Sequence, residues 1–164
     1  MIHHTKIREI FDDDDLKESA KAIRGSFITV ANEFCLTQEN CPTNPTFISF
    51  EKLKELSEKG VKMFGLFCDE KQSGFVVIEK SDNGIYYMEK LAVLPEYRHI
   101  GFGKKLMNFV FDYVKQENGR KVSIGIINEN TVLKNWYKNN GFIETGIRMF
   151  DHLPFLVCFM EKTL

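Results

Sequence analysis

The residues between Leu91 and Lys105, LAVLPEYRHIGFGKK, have the composition of an anion-binding turn. Arg98, Gly101 and Gly103 give the spacing RxxGxG directly before an amphipathic helical pattern. The first N–H groups of a helix have no partner within it, and the helix dipole adds partial positive charge there, so a pyrophosphate suits this position. Glycines let the backbone come close to the phosphate oxygens, and Lys104 adds positive charge. This segment therefore predicts a phosphate-binding cradle.

A second segment, NENTVLKNWYKNNGF from Asn128 to Phe142, predicts a short helix with defined ends. Asn130 is a favoured N-cap, and Asn140-Gly141 supplies a left-handed stop. The apolar side chains between them share one side of the helix, and Tyr137 lies among them, seven residues after Asn130. Tyr137 is therefore either a core residue or a phenol held at a site.

These two segments carry a resemblance to a known family. VLPEYRHIGFGKKL resembles the acyl-CoA-binding motif of the GCN5-related N-acetyltransferases, and the Asn130 to Phe142 segment resembles the family's later motif. A Rossmann fingerprint, which is GxGxxG near the start of a domain with an acidic ribose ligand about 20 residues on, fits less well, because here an Arg leads and the motif lies in the second half of the chain. No lysine-serine pair follows as in a P-loop. The likeness extends from Tyr86 to Phe142.

The resemblance implies acetyl-CoA as a co-substrate, with no metal. It also implies that two central strands splay apart near a bulge in the first of them, so that a pantetheine arm pairs with the exposed backbone. An N–H on the Val93 side would then polarise the thioester carbonyl. The cofactor-binding residues expected on this basis are Leu91, Ala92, Val93, Arg98, His99, Ile100, Gly101, Phe102, Gly103, Lys104 and Asn130.

Two residues are candidates for the chemistry of acyl transfer. Tyr137, by its match to the family motif, is the candidate acid that protonates the departing thiolate. Glu89 is the candidate base or amine-binding carboxylate, because strand alternation predicts that it shares a face with Tyr87 and Leu91 near the thioester. The alternative for Glu89 is a surface carboxylate paired with a neighbouring lysine, Lys90 or Lys80.

The order of elements predicts a mixed α/β fold, a twisted mixed sheet flanked by helices in the order βααβββαβαββ. Short turns favour an antiparallel meander in the middle of the chain, and a crossover helix favours a parallel pair after it. The strands expected are 3–10, 61–68, 74–80, 85–94, 122–127, 142–150 and 155–161. The helices expected are 13–34, 50–59, 103–117 and one that carries Tyr137.

Composition narrows the class of protein. The chain has 164 residues, 43% of them hydrophobic, which predicts one domain over residues 1–164 with a substantial core. No apolar run approaches the ~20 residues of a membrane span, and no signal peptide is recognised, so we expect a cytoplasmic protein. The net charge of −1 offers no general basic face for nucleic acid. The four cysteines lack metal-ligand spacing and are expected to be buried thiols.

Together these features predict an N-acetyltransferase that transfers the acetyl group of acetyl-CoA to a primary amine. The expected partner is a small-molecule or peptide amine, with no nucleic acid and no membrane, and a homodimer is left open. One alternative is a non-catalytic acyl-CoA sensor or interaction module, which would need the cradle but neither Tyr137 nor Glu89. Another is a nucleotide-binding protein with a similar cradle.

Overall fold

The computed structural model describes residues 3–164, which form seven strands, four α-helices and two short 3-10 helices, Pro45–Phe47 and Pro95–Tyr97. The strands are β1 (Thr5–Glu9), β2 (Lys62–Cys68), β3 (Lys71–Lys80), β4 (Ile85–Val93), β5 (Lys121–Ile127), β6 (Ile143–Met149) and β7 (Leu156–Thr163). The helices are α1 (Asp13–Glu33), α2 (Phe50–Glu58), α3 (Phe102–Gln116) and α4 (Thr131–Asn139). The predicted order βααβββαβαββ and the mixed α/β class are confirmed.

The strands form one sheet in the order β1-β2-β3-β4-β5-β7-β6. Strands β2, β3 and β4 are the predicted antiparallel meander, joined by tight turns whose residues have positive φ, Asp69 and Glu70 in the first turn and Asn83 and Gly84 in the second. Because the first turn needs only two residues, β3 begins at Lys71, three residues before the predicted start. The last two strands form an antiparallel pair in which β7 lies next to β5 and β6 is at the edge.

Helices cover both faces of the sheet. Along β3, Phe75 and Val77 belong to the core beneath α1 and α2, whereas Val76 and Ile78 belong to the core beneath α3. All four are buried, which explains the continuous apolar run in this central strand. Among residues 3–164, no helix combines the length and apolarity that crossing a membrane requires.

Strand β4 carries a β-bulge beside β3. Glu89 lies opposite Val77 and Ala92 lies opposite Phe75, so three steps along β4 match two along β3. The extra residue is accommodated at Lys90, which has a φ of 51°, in the left-handed region. The family resemblance implied such a bulge, and the structure has it.

The bulge reverses the alternation of side chains along β4. Leu91 and Val93 pack on the core beneath α3, while Ala92 packs beneath α1 and α2. Glu89 faces the α1 side, since its partner Val77 belongs to that core. The prediction that Leu91 shares a face with Glu89 was therefore wrong, because strict alternation ignores the added residue.

Strands β4 and β5 are parallel but separate early. Their register consists of three pairs, from Ile85 opposite Lys121 to Tyr87 opposite Ser123. Beyond these pairs, β5 continues alongside β7 as far as Ile127, and the second half of β4 is paired only with β3. The predicted splay is therefore present, and it leaves one edge of β4 open at Leu91 to Val93.

The cysteines differ in part from expectation. All four are free thiols. Cys41, Cys68 and Cys158 are buried as predicted, whereas Cys35 is exposed. Cys35 follows the end of α1 with a φ of 54°, in the turn that leaves the helix.

Candidate active site

The predicted cradle is the N-terminal end of α3. Gly101 occupies the N-cap with a φ of 92°, a conformation in which a side chain would be strained. The first helical hydrogen bond is donated by Lys105 N–H to Gly101 O. The N–H groups of Phe102, Gly103 and Lys104 therefore precede the helical ladder and are available to an anion.

The two glycines keep the space beside this helix start free of side chains. A Cβ at Gly101 would meet no atom within 4 Å. A Cβ at Gly103 would lie 3.5 Å from the Trp136 ring and 3.9 Å from a Val93 methyl. The cradle thus lies where the end of β4, the start of α3 and the helix α4 meet, which joins the two sequence motifs in space.

Most of the other predicted cofactor-binding residues could reach a ligand only through their backbone groups. His99 and Ile100 are exposed in the loop, and Phe102 is buried with its ring stacked on Tyr97 at 5.9 Å between centroids. Leu91 and Val93 are half-buried on the α3 face of β4. Ala92 is buried on the opposite face, so that only its main chain could reach a ligand on the α3 side.

The Arg98 side chain turns inward, away from solvent. Its Nε donates to Val93 O at 3.0 Å, its Nη1 to Thr29 Oγ1 at 3.0 Å, and its Nη2 to Ser26 O at 2.6 Å. Burial lowers the pKa of this guanidinium from its usual value, because the charged form loses solvation. These acceptors are neutral oxygens and do not cancel the charge of the guanidinium. Arg98 therefore still contributes a positive electrostatic potential at the cradle.

The helix α4 forms as predicted from its caps. Asn130 Oδ1 accepts a hydrogen bond from Leu133 N–H at 3.2 Å, which fixes the start. Gly141 has a φ of 95° and ends the helix. The Asn130 side chain is engaged as the N-cap, and capping alone explains an Asn at this position. A role of Asn130 in cofactor binding stays a prediction.

Tyr137 is buried on the inner side of α4. Its ring packs edge-on against Trp136 and Phe142, with centroids 5.0 Å and 5.3 Å away. Burial raises the pKa of its hydroxyl far above the usual value near 10, since the phenolate would be poorly solvated. No hydrogen bond joins this hydroxyl to another group within residues 3–164. Tyr137 is therefore a neutral phenol whose donor is free.

Glu89 keeps an accessible carboxylate on the α1 side of the sheet. Its side chain is 43% exposed, and its carboxylate lies 3.6 Å from Lys90 Nζ. Such a pair in water is weak, so a second cation could approach the same carboxylate. The alternative reading of Glu89 as a carboxylate paired with Lys90 is thus compatible with a role in binding an amine.

One set of potential metal ligands lies outside this region and was missed from the sequence. His3, Cys68 and Asp69 place their donor atoms within 4.8 Å of one another. They are brought together by the pairing of β1 with β2, so their sequence spacing gave no signal. The Cys68 Sγ to His3 Nδ1 distance of 3.5 Å is that of a thiol–imidazole hydrogen bond, which accounts for this contact without an ion.

The structure thus places a splayed parallel pair of strands beside a glycine-spaced helix start. A family model, described as the acetyltransferase (GNAT) family, matches residues 28–142, which include β4, the cradle and α4. The chain belongs to the acetyltransferase (GNAT) family. Acetyl-CoA is the co-substrate that goes with this membership.

Solved structures share the fold along the whole chain. The PaiA N-acetyltransferase from Thermoplasma acidophilum, determined in complex with coenzyme A, is 22% identical with a TM-score of 0.80, covering 98% of this chain and 99% of its own. The ribosomal-protein-S18-alanine N-acetyltransferase from Escherichia coli is 15% identical with a TM-score of 0.76, covering 98% and 94%. A GNAT-family acetyltransferase from Staphylococcus aureus Mu50 is 20% identical with a TM-score of 0.74, covering 98% and 99%.

Proposed function

We propose that this protein transfers the acetyl group of acetyl-CoA to a primary amine of a small molecule or a peptide terminus. The observation that carries the proposal is the split beside β4, where Glu89 faces the α1 side and Val93 faces the α3 side. An amine and a thioester can then approach the same strand from opposite faces. The proposal assigns Glu89 to the amine and the Val93 backbone to the thioester.

The cradle holds the cofactor through backbone groups. The N–H groups of Phe102, Gly103 and Lys104 meet the pyrophosphate, aided by the helix dipole and by the charge of Arg98. The open edge of β4 pairs with the amides of the pantetheine arm in the manner of an added strand. This directs the thioester along β4 toward Val93.

The amine attacks the thioester directly, while Glu89 takes up one proton and Tyr137 supplies one. The neutral amine nitrogen forms a bond to the acetyl carbon, and the carbon–sulfur bond breaks with its electron pair on sulfur. The amine loses one proton to Glu89, directly or through water, and the sulfur gains one proton from Tyr137. The products are the N-acetyl amide and the free thiol of CoA. Proton exchange with solvent restores both side chains.

The burial of Tyr137 is compatible with the role of acid. A phenol with a raised pKa remains protonated throughout the neutral and mildly alkaline range, so its O–H can donate a hydrogen bond to the sulfur in every turnover. Its hydroxyl stabilises the thiolate most when the ring is held rigidly, and the contacts with Trp136 and Phe142 provide that rigidity.

Two of the solved relatives are named as N-acetyltransferases, which supports an amine acceptor here. One of them is named for an alanine of a ribosomal protein, so the fold accommodates a peptide amine. We assign the reaction to the cytoplasm, since four free thiols suit a reducing compartment. A homodimer stays a prediction, and the edge strand β6 is exposed along its length.

A screen of acceptors tests the proposal. Amines, polyamines, amino acids and peptides with free N-termini are incubated with acetyl-CoA, and release of free thiol is followed. Mass spectrometry of the acceptor should show an acetyl group on nitrogen. The Gly103→Asp variant serves as a control that should be unable to bind the cofactor. Activity only on hydroxyl acceptors would contradict the amine assignment, and cofactor binding without any transfer would favour the acyl-CoA sensor.

A further inference from the structure

The Arg98 side chain joins three elements that the sequence separates. From the loop before α3 it reaches the last residue of β4, Val93, and the fourth and fifth turns of α1, at Ser26 and Thr29. The Thr29 hydroxyl also donates to Ser26 O at 3.2 Å, so the guanidinium, the hydroxyl and the carbonyl form a closed triangle. Each guanidinium nitrogen has a defined acceptor.

The hydrogen bond from Arg98 to Val93 O lies where the pairing of β4 with β5 has ended. Leu94 N–H donates to Ser73 O of β3 at 2.9 Å, and backbone groups alternate along a strand, so the groups of Val93 point to the opposite side. On that side β5 has already diverged. The Val93 carbonyl is bonded there by Arg98 Nε in place of a neighbouring strand. The Val93–Leu94 peptide is thus held from both sides, by Ser73 O on β3 and by the Arg98 side chain where β5 is absent.

We propose that Arg98 is a positioning residue that fixes the Val93 backbone and couples the occupied cradle to α1. The proposal rests on the proposed function in one respect, since Val93 N–H is the group that would polarise the thioester there. When the loop that carries Arg98 closes on a pyrophosphate, the Arg98 side chain moves with it. Its hydrogen bonds then shift Ser26 and Thr29 in α1. The fork of the guanidinium is needed, because a lysine offers one point charge and cannot satisfy three divergent acceptors.

Hydrogen exchange with coenzyme A alone tests the coupling and needs no acceptor. In the wild-type chain, CoA should slow amide exchange both at the start of α3 and in the part of α1 that follows Ser26. In Arg98→Lys, saturating CoA should still protect the start of α3, but the protection in α1 should be lost. Thr29→Val should lose part of the α1 protection, and Thr29→Ser, which keeps the hydroxyl, should retain it.

Kinetics provide the second readout once an acceptor is known. Arg98→Lys should lower kcat about 10²-fold with a smaller change in the Kd of CoA, because a misplaced backbone donor affects the transition state more than binding. Wild-type exchange that shows no α1 protection on binding CoA would overturn the coupling. So would an Arg98→Lys variant that keeps both α1 protection and turnover, or one whose only change is a lower Tm.

These outcomes are separable from those of the proposed function. If no amine is acetylated by the wild-type chain, the exchange experiment still decides whether Arg98 couples the cradle to α1. If an amine is acetylated and the α1 protection is absent, the function stands and the coupling fails. Thr29 is exposed, so its two variants should fold even if the Arg98 variants do not.

Discussion

Glu89 and Leu91 lie on opposite faces of β4 although only Lys90 separates them. Two residues two positions apart normally share a face of a strand, and the bulge at Lys90 breaks that rule. The accessible Glu89 carboxylate therefore lies on the α1 side, whereas Leu91, which is beside the open backbone edge, packs under α3. In a regular strand, Glu89 and Leu91 would lie on the same side.

The role of Glu89 can be tested by Glu89→Gln, which keeps the shape and removes the charge. We expect a higher KM for the amine or a shift of the rising limb of the pH–rate profile, with acetyl-CoA binding unchanged. Glu79→Gln is a matched control, since Glu79 lies on the same face of the neighbouring strand β3, opposite Tyr87. Equal kinetics of Glu89→Gln and wild type from about pH 6 to 9 would remove Glu89 from the reaction.

The cradle can be tested by Gly103→Asp, which brings a negative charge against the pyrophosphate. A Cβ at this position makes an ordinary 3.5 Å contact with Trp136, so the fold should persist while affinity for CoA is lost. Gly146→Asp adds the same charge on β6, where a Cβ would meet no atom within 4 Å, and should bind CoA as wild type does. Titration calorimetry measures both, with circular dichroism as the check on folding. Full affinity in Gly103→Asp would argue against the cradle.

The acid role of Tyr137 predicts a large loss of turnover in Tyr137→Phe. The ring contacts with Trp136 and Phe142 are kept and only the donor is removed, so kcat should fall about 10 to 10⁴-fold with CoA affinity unchanged. Tyr113→Phe removes another phenol from the same core and should leave kcat unaffected. If the two variants had the same rates at every pH, Tyr137 would be a packing residue.

The pH dependence follows from the direction of the Tyr137 pKa. Burial raises it, so the protonated form persists in the folded protein as pH rises past 10. The unfolded chain then binds fewer protons than the folded one above pH 10, and this buried phenol lowers the free energy of unfolding progressively there. Urea unfolding at pH 9 and above should show a steeper loss of stability for wild type than for Tyr137→Phe. Parallel curves would mean that the hydroxyl is solvated.

Glu144 provides a prediction outside the site. Ion pairs with Lys138 and Lys134, both at 3.0 Å, and a hydrogen bond from Cys158 lower the pKa of this carboxyl to about 2. A lowered folded pKa means that its stabilising effect is present above its unfolded pKa and is lost as pH falls toward 2. Carbon NMR should show Glu144 still ionised near pH 3.5, and Lys138→Gln should raise its midpoint. An ordinary midpoint in wild type would show that solvent screens these pairs.

Much of the site could be predicted because its signals are local. Gly101 determines a left-handed turn that other residues would strain, and Asn130 and Gly141 determine where α4 begins and ends. These properties depend on a few neighbouring residues, so the sequence alone was enough to predict the glycine turn that opens α3 and the helix that carries Tyr137. The phosphate-binding role of that turn stays a prediction. The family resemblance added the splay and the bulge.

The tertiary structure decided the relationships that depend on distant residues. Which face Glu89 occupies depends on one added residue in the pairing of β4 with β3, which side-chain periodicity cannot reveal. The sequence predicted Arg98 as a cofactor-binding residue, but only the structure shows that its three side-chain nitrogens donate to acceptors on α1 and β4. Hydrogen-bond partners are chosen by proximity in the fold, whereas caps and glycine turns are set by the chain itself. The sequence therefore determined which motifs are present, and the packing of α1 against β4 determined how their side chains are oriented.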